Sequence, residues 1–163
     1  MSKSTTRATP DVAQLYQRYG GLVRARARRF FSEQEADDVV QEVFVKVVEK
    51  LDTFRGESSP VTWLYQVTTR HCLNRLRDRS RRTELWDQHD GLWWSSPVTG
   101  ADQESAALLR EIWRELDEET ALIAIYYHMD GLSRDEIAPR VGLSPRTVTN
   151  RLEALRTRAR SST

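Results

Sequence analysis

Between Ala36 and Tyr65 the chain carries an apolar stripe, a glycine break and a proline in quick succession. Val39, Val40, Val43, Phe44, Val47, Val48 and Leu51 recur at steps of three and four, the repeat of an amphipathic helix with one buried face. Valine is only a middling helix former, so packing must hold this helix. Its opposite face then carries Asp38, Gln41 and Glu42, which suits either solvent or a basic protein partner. Phe54 follows the stripe, and Gly56 permits a turn that other residues resist. Pro60 fits the first turn of a second helix, with Ser58 or Ser59 as its cap.

The 163 residues allow one ordinary domain or two small ones. No apolar run approaches the roughly 18 residues that a spanning helix needs. The N-terminus lacks the apolar core of a secretory signal. These features predict a cytoplasmic protein without membrane insertion, with residues 1–10 as a disordered arm. Cys72 is the lone cysteine, which forbids an internal disulfide and a multi-cysteine zinc site. His71, His89 and His128 have no ligand-like spacing, so no metal or cofactor is expected.

A net charge of +1 conceals a segregated chain. Arg24, Arg26, Arg28 and Arg29 form one basic cluster, and Arg70, Arg75, Arg77, Arg79, Arg81 and Arg82 a second. A third follows at Arg146, Arg151, Arg156, Arg158 and Arg160, while Glu33, Glu35, Asp37, Asp38 and Glu42 separate the first two. Residues 11–31 read as a first helix, with Val12, Leu15, Tyr16, Tyr19, Leu22, Val23 and Ala27 at helical spacing. Its arginines suit either DNA steering or a solubilising face. Residues 60–82 read as a third helix that packs through Val61, Leu64, Tyr65, Val67, Thr68, Cys72, Leu73 and Leu76. Trp63 fits a core position, a support for unpaired bases, or both, since bases stack on aromatic rings. Residues 83–104 read as an acidic linker broken by Pro97 and Gly100. Trp86, Trp93 and Trp94 within it suit partner contact and internal packing equally.

Residues 105–160 read as a second helical unit. Ala106 to Leu116 marks its first helix, and Ala121, Leu122, Ile125, Tyr126 and Met129 mark another that ends at Gly131. Ser133 and Glu136 have the spacing of a capping box. Gly142 makes a turn, Ser144 caps the last helix and Pro145 takes its first position. Cap, turn and apolar faces agree on a helix-turn-helix, whose second helix enters the DNA major groove. Arg146, Thr147, Thr149, Asn150 and Arg151 would read bases there, arginine suiting guanine and asparagine adenine. Arg156, Arg158 and Arg160 suit phosphates.

Asp37-Asp38-Val39-Val40-Gln41-Glu42-Val43-Phe44, the run from Lys50 to Ser59, and Thr62-Trp63-Leu64-Tyr65 resemble the second conserved region of the extracytoplasmic-function (ECF) sigma factors. Gly131-Leu132-Ser133 with Glu136-Ile137-Ala138, and Gly142-Leu143-Ser144 with Thr147-Val148 and Arg151-Leu152, resemble the fourth region of the same sigma-70 family. The resemblance implies an all-α protein of two small domains, a region 2 helical bundle at 11–82 and a region 4 helix-turn-helix at 105–160, joined by a flexible linker. It implies promoter recognition and strand opening on behalf of core RNA polymerase, not catalysis. Asp38, Gln41 and Glu42 would meet the polymerase clamp coiled coil. Phe54, Arg55, Thr62, Trp63, Arg70, Asn74 and Arg77 would meet the minus-ten element. Arg146, Thr147, Thr149, Asn150, Arg151 and Arg156 would meet the minus-thirty-five element, with the polymerase flap beside them. An anti-sigma factor is a further implied partner.

The sequence departs from the family pattern in places. Arg70 stands where many members have asparagine, and a guanidinium only donates hydrogen bonds. Asp117 replaces a usual proline, Pro139 falls inside a helix, and Glu153 and Ala154 take positions often basic or aromatic. Two rival functions remain at this stage. One is a degenerate sigma-like regulator that binds core or DNA without supporting initiation. The other is a duplex-binding regulator that acts without polymerase. No nucleophile–base pair or phosphate loop points to an enzyme.

Overall fold

The computed structural model describes residues 11–54, 56, 58–85 and 115–161. Among them are six α-helices and no strand. By internal contacts the chain divides into two compact units, one ending at Cys72 and the other beginning at Leu73. The division falls inside the third helix. The expected helix from Ala106 to Leu116, the linker tryptophans and the N-terminal arm lie almost wholly outside the described residues.

In the first unit, α1 (Val12–Ala27) begins where the Asp11 carboxylate accepts from the Ala13 amide at 3.1 Å. It is shorter than the 11–31 span predicted, and Phe30 and Phe31 follow in a turn, both buried. Helix α2 (Glu33–Lys50) opens on a capping box that the sequence reading passed over, with the Glu35 amide donating to the Ser32 hydroxyl at 3.4 Å. Ala36, Val39, Val40, Val43, Phe44 and Val47 are buried, and this face packs on α1, where Phe44 meets the edge of Tyr16 at 4.9 Å. Val48 leaves the stripe, being 56% exposed, because the predicted row drifts off the buried face by the last turn.

A short 3-10 turn, Leu51–Thr53, carries the chain to Phe54. Gly56 then adopts φ 68°, the left-handed geometry that glycine alone enters freely. Ser59 is the cap of α3 (Pro60–Leu85), since its hydroxyl accepts from the Thr62 amide at 3.1 Å. Leu64, Thr68, Thr69 and Cys72 are buried along α3, whereas Val61, predicted to pack, is 39% exposed.

In the second unit, α4 (Glu118–Ala124) begins at Asp117. The residue that replaces a usual proline is therefore an N-cap, accepting from the Thr120 amide at 2.9 Å. A π-helical turn, Ile125–Met129, extends α4, and Gly131 (φ 66°) closes it. Helix α5 (Arg134–Val141) carries the predicted capping box of Ser133 and Glu136. The amide and hydroxyl of Ser133 hold the Glu136 carboxyl below its ordinary range. Pro139 deprives one carbonyl of its donor, yet it is exposed and the helix ends at Val141. Gly142 follows in the left-handed region at φ 71°. Ser144 caps α6 (Pro145–Ser161) by accepting from the Thr147 amide at 3.1 Å. Helices α4, α5 and α6 pack on one another, burying Leu122, Ile125, Tyr126, Ile137, Val141, Val148 and Leu152.

Asp117 also titrates unusually. Partial burial opposes its ionisation, but hydrogen bonds from the Thr120 hydroxyl and amide, together with the charge and hydrogen bond of Arg151, hold its carboxyl below the ordinary 3.8. With its folded pKa depressed, the stabilisation is complete above the ordinary value and disappears as pH falls through the folded one. Asparagine caps helices about as well as aspartate. Asp117→Asn should therefore keep the cap while flattening the acid limb of stability below about pH 4. Asp117→Ala should cost about 1 kcal/mol at neutral pH. Thermal melts across the acid range check both, and an unchanged acid limb in the asparagine variant would refute the assignment.

Candidate nucleic-acid and partner interfaces

The exposed face of α2 is the first surface. Asp38, Gln41 and Glu42 all lie open on it, as the helical repeat requires. Among the described residues Asp38 and Gln41 are exposed, whereas the Glu42 carboxylate lies 2.6 Å from His71 Nε2 on α3. Val45, 60% exposed, falls on the same face.

The second surface begins at the turn before α3. The rings of Phe54 and Trp63 lie 5.0 Å apart and tilted, so the two aromatics that the sequence predicts near a base site do meet. Trp63 is half-buried. The Thr62 hydroxyl is hydrogen-bonded to the Ser59 hydroxyl at 2.9 Å and so belongs to the cap. Arg70 and Asn74 follow along α3, both exposed. Arg77 is engaged internally, donating to the Leu116 carbonyl at 2.7 Å. Arg55 lies outside the described residues.

The third surface is α6. Arg146, Asn150 and Arg156 are exposed. The Thr147 hydroxyl meets the Ser144 hydroxyl at 2.9 Å, and the Thr149 hydroxyl donates to the Pro145 carbonyl at 3.0 Å. Arg151, expected to read bases, is turned inward instead. Its guanidinium donates to Asp117 at 2.9 Å and to the Thr120 hydroxyl at 2.8 Å, and pairs with Glu119 at 2.7 Å. It thus ties the start of α4 to the middle of α6. Arg158, expected at phosphates, pairs with Glu115.

The first basic cluster also has other employment. Arg24 forms ion pairs with Asp37 at 2.9 Å and Glu33 at 3.1 Å, and Arg28 with Glu33 at 2.8 Å. Arg26 is 4% exposed. Its Nε donates to the Thr69 hydroxyl at 3.0 Å, and its guanidinium lies 4.4 Å from the Tyr65 ring centre and 5.0 Å from that of Phe30. An arginine that sequence reasoning assigns to DNA or solvent is a core residue joining α1 to α3.

The sigma-70 region 2 family matches residues 15–82, the span that holds the first two surfaces. The chain is 28% identical over 154 residues to the ECF RNA polymerase sigma-E factor of Escherichia coli strain K12, covering 83% of this chain and 77% of that protein. Over most of its length the chain is thus similar to the ECF sigma factors. The ECF RNA polymerase sigma-E factor of Haemophilus influenzae is 38% identical over 68 residues, covering 42% of this chain and 36% of that protein. The sigma factor RpoE of Bartonella quintana, solved in complex with the anti-sigma factor NepR, shares the fold with a TM-score of 0.50. At 19% identity the alignment covers 92% of this chain and 94% of that one. Among the described residues no helix is long and apolar enough to cross a membrane.

Proposed function

We propose that this chain is an ECF sigma factor, the promoter-recognition subunit of a cytoplasmic RNA polymerase, and makes no bonds itself. The observation that carries the reading is the contact of Phe54 with Trp63 at the head of α3, inside the matched region 2. Extruding a base costs a few kcal/mol. Stacking on an aromatic returns about 1–3 kcal/mol per base, so this pair favours a melted minus-ten element, with Arg70 and Asn74 beside it. Asp38, Gln41 and Glu42 then face the basic surface of the core clamp. The domain division at 11–82, 83–104 and 105–160 assigns duplex minus-thirty-five recognition to the helix-turn-helix. The exposed docking faces also suit an anti-sigma factor, the kind of partner bound by the Bartonella quintana relative.

With Arg151 and both threonine hydroxyls engaged inside the unit, Arg146 and Asn150 carry the base reading. Truncating either should cost roughly 1–3 kcal/mol at particular base pairs. Binding measured across a library of minus-thirty-five sequences checks this, and a uniform loss over all sequences would reduce them to phosphate contacts. The function itself is tested by transcription with bacterial core RNA polymerase on fragmented genomic DNA, with and without the protein. Discrete new transcripts are expected. Core binding without transcripts would indicate the degenerate regulator, and duplex binding without core an independent one.

A further inference from the structure

We infer that His71 is a positioning residue for Glu42, holding its carboxylate in place for a basic partner; the inference rests on reading Asp38, Gln41 and Glu42 as the polymerase-binding face. A glutamate on an exposed helix face normally samples several rotamers, and a partner must immobilise it on binding. Glu42 is different. Its carboxylate is bonded at 2.6 Å by an imidazole 29 residues away on another helix. A carboxylate only accepts, so His71 Nε2 carries the proton in this contact.

The two sides of the contact are unequally sheltered. The His71 side chain is 11% exposed and that of Glu42 44%. The imidazole is thus anchored in the unit, while the carboxylate it holds still faces outward. A carboxylate offers about four lone-pair sites, so accepting from His71 does not by itself exhaust its capacity for an arginine or lysine of the partner. Asp38, one turn earlier on the same face, has no comparable bond among the described residues. Glu42 is therefore the pre-set member of this acidic face. The competing explanation is that the pair merely ties α2 to α3. That would make His71 matter for stability but not for binding through Glu42.

A double-mutant cycle separates these possibilities. The affinity of the full chain for bacterial core RNA polymerase is measured for the wild type, His71→Ala, Glu42→Ala and the double variant, with a thermal melt of each. Glu42→Ala should weaken binding. His71→Ala should weaken it roughly two- to tenfold in the wild-type background, and leave it unchanged in the Glu42→Ala background. His71→Gln, whose amide still donates to the carboxylate, should restore most of the affinity, and His71→Leu, which fills volume but donates nothing, replaces the alanine variant should that fail to fold. An equal loss in both backgrounds, or no loss in either while Glu42→Ala weakens binding, would overturn the positioning role and leave the polymerase-binding face standing. Unchanged binding by Glu42→Ala would remove that face itself, and the inference with it.

Discussion

A chain carrying Asp38→Lys and Glu42→Lys should lose binding to core RNA polymerase by more than about a hundredfold, because like charges placed across an interface cost several kcal/mol and each 1.4 kcal/mol is a factor of ten. Its helical spectrum should be unchanged. Both side chains lie on the exposed face of α2, and the buried row of Val39, Val43 and Val47 that holds the helix is untouched. Lysine is also as good a helix former as glutamate and better than aspartate. Affinity measurement beside circular dichroism checks the two halves together. Retained affinity with normal helicity would remove this face from the polymerase interface. Lost affinity with lost helicity would show that the face matters to folding.

Arg26→Leu should destabilise the first unit by about 3 kcal/mol, whereas Arg24→Leu should change it by less than about 1 kcal/mol. The two arginines are neighbours in sequence and opposites in setting. Arg24 makes its ion pairs at the surface, where water screens them and side-chain entropy opposes them. Arg26 is enclosed between α1 and α3, with a hydroxyl and two aromatic rings around its guanidinium. Removing it leaves the Tyr65 and Phe30 rings without a cation that is worth most when desolvated. Leucine fills the volume but offers nothing to Thr69. Urea titration of both variants decides the matter, and equal midpoints would mean that Arg26 is no more a core residue than its neighbour.

The starts of α3, α5 and α6 were legible in the sequence, whereas the caps of α2 and α4 were not. Ser59, Ser133 and Ser144 cap the helices that their spacing announces, and Gly142 turns where a positive φ is needed. These are local signals, written within four residues of the structure they produce. The buried stripe of α2 was legible for the same reason, up to the turn where Val48 leaves it. The fate of the charges was not. Arg26 and Arg151 read as surface residues because arginine usually is one. Their partners, Thr69 and Asp117 with Glu119, are dozens of residues distant and carry no mark of the pairing. His71 and Glu42 met in the same way. Asp117 looked like a departure from a pattern, yet it supplies the helix start by hydrogen bonding.

The inward arginines also set how this protein should respond to salt. Each protein cation that reaches a phosphate frees a condensed counterion from the duplex, and that release makes affinity fall as salt rises. Arg151 already sits against Asp117 and Glu119, and Arg26 is sealed in the core. These side chains bring little to the counterion exchange, so the logarithmic salt slope of DNA binding should be shallower than the arginine-rich sequence suggests. If Arg146 and Asn150 read bases as proposed, relatively more of the affinity should come from them, and discrimination between promoters should persist at ionic strengths that strip a purely electrostatic binder from DNA.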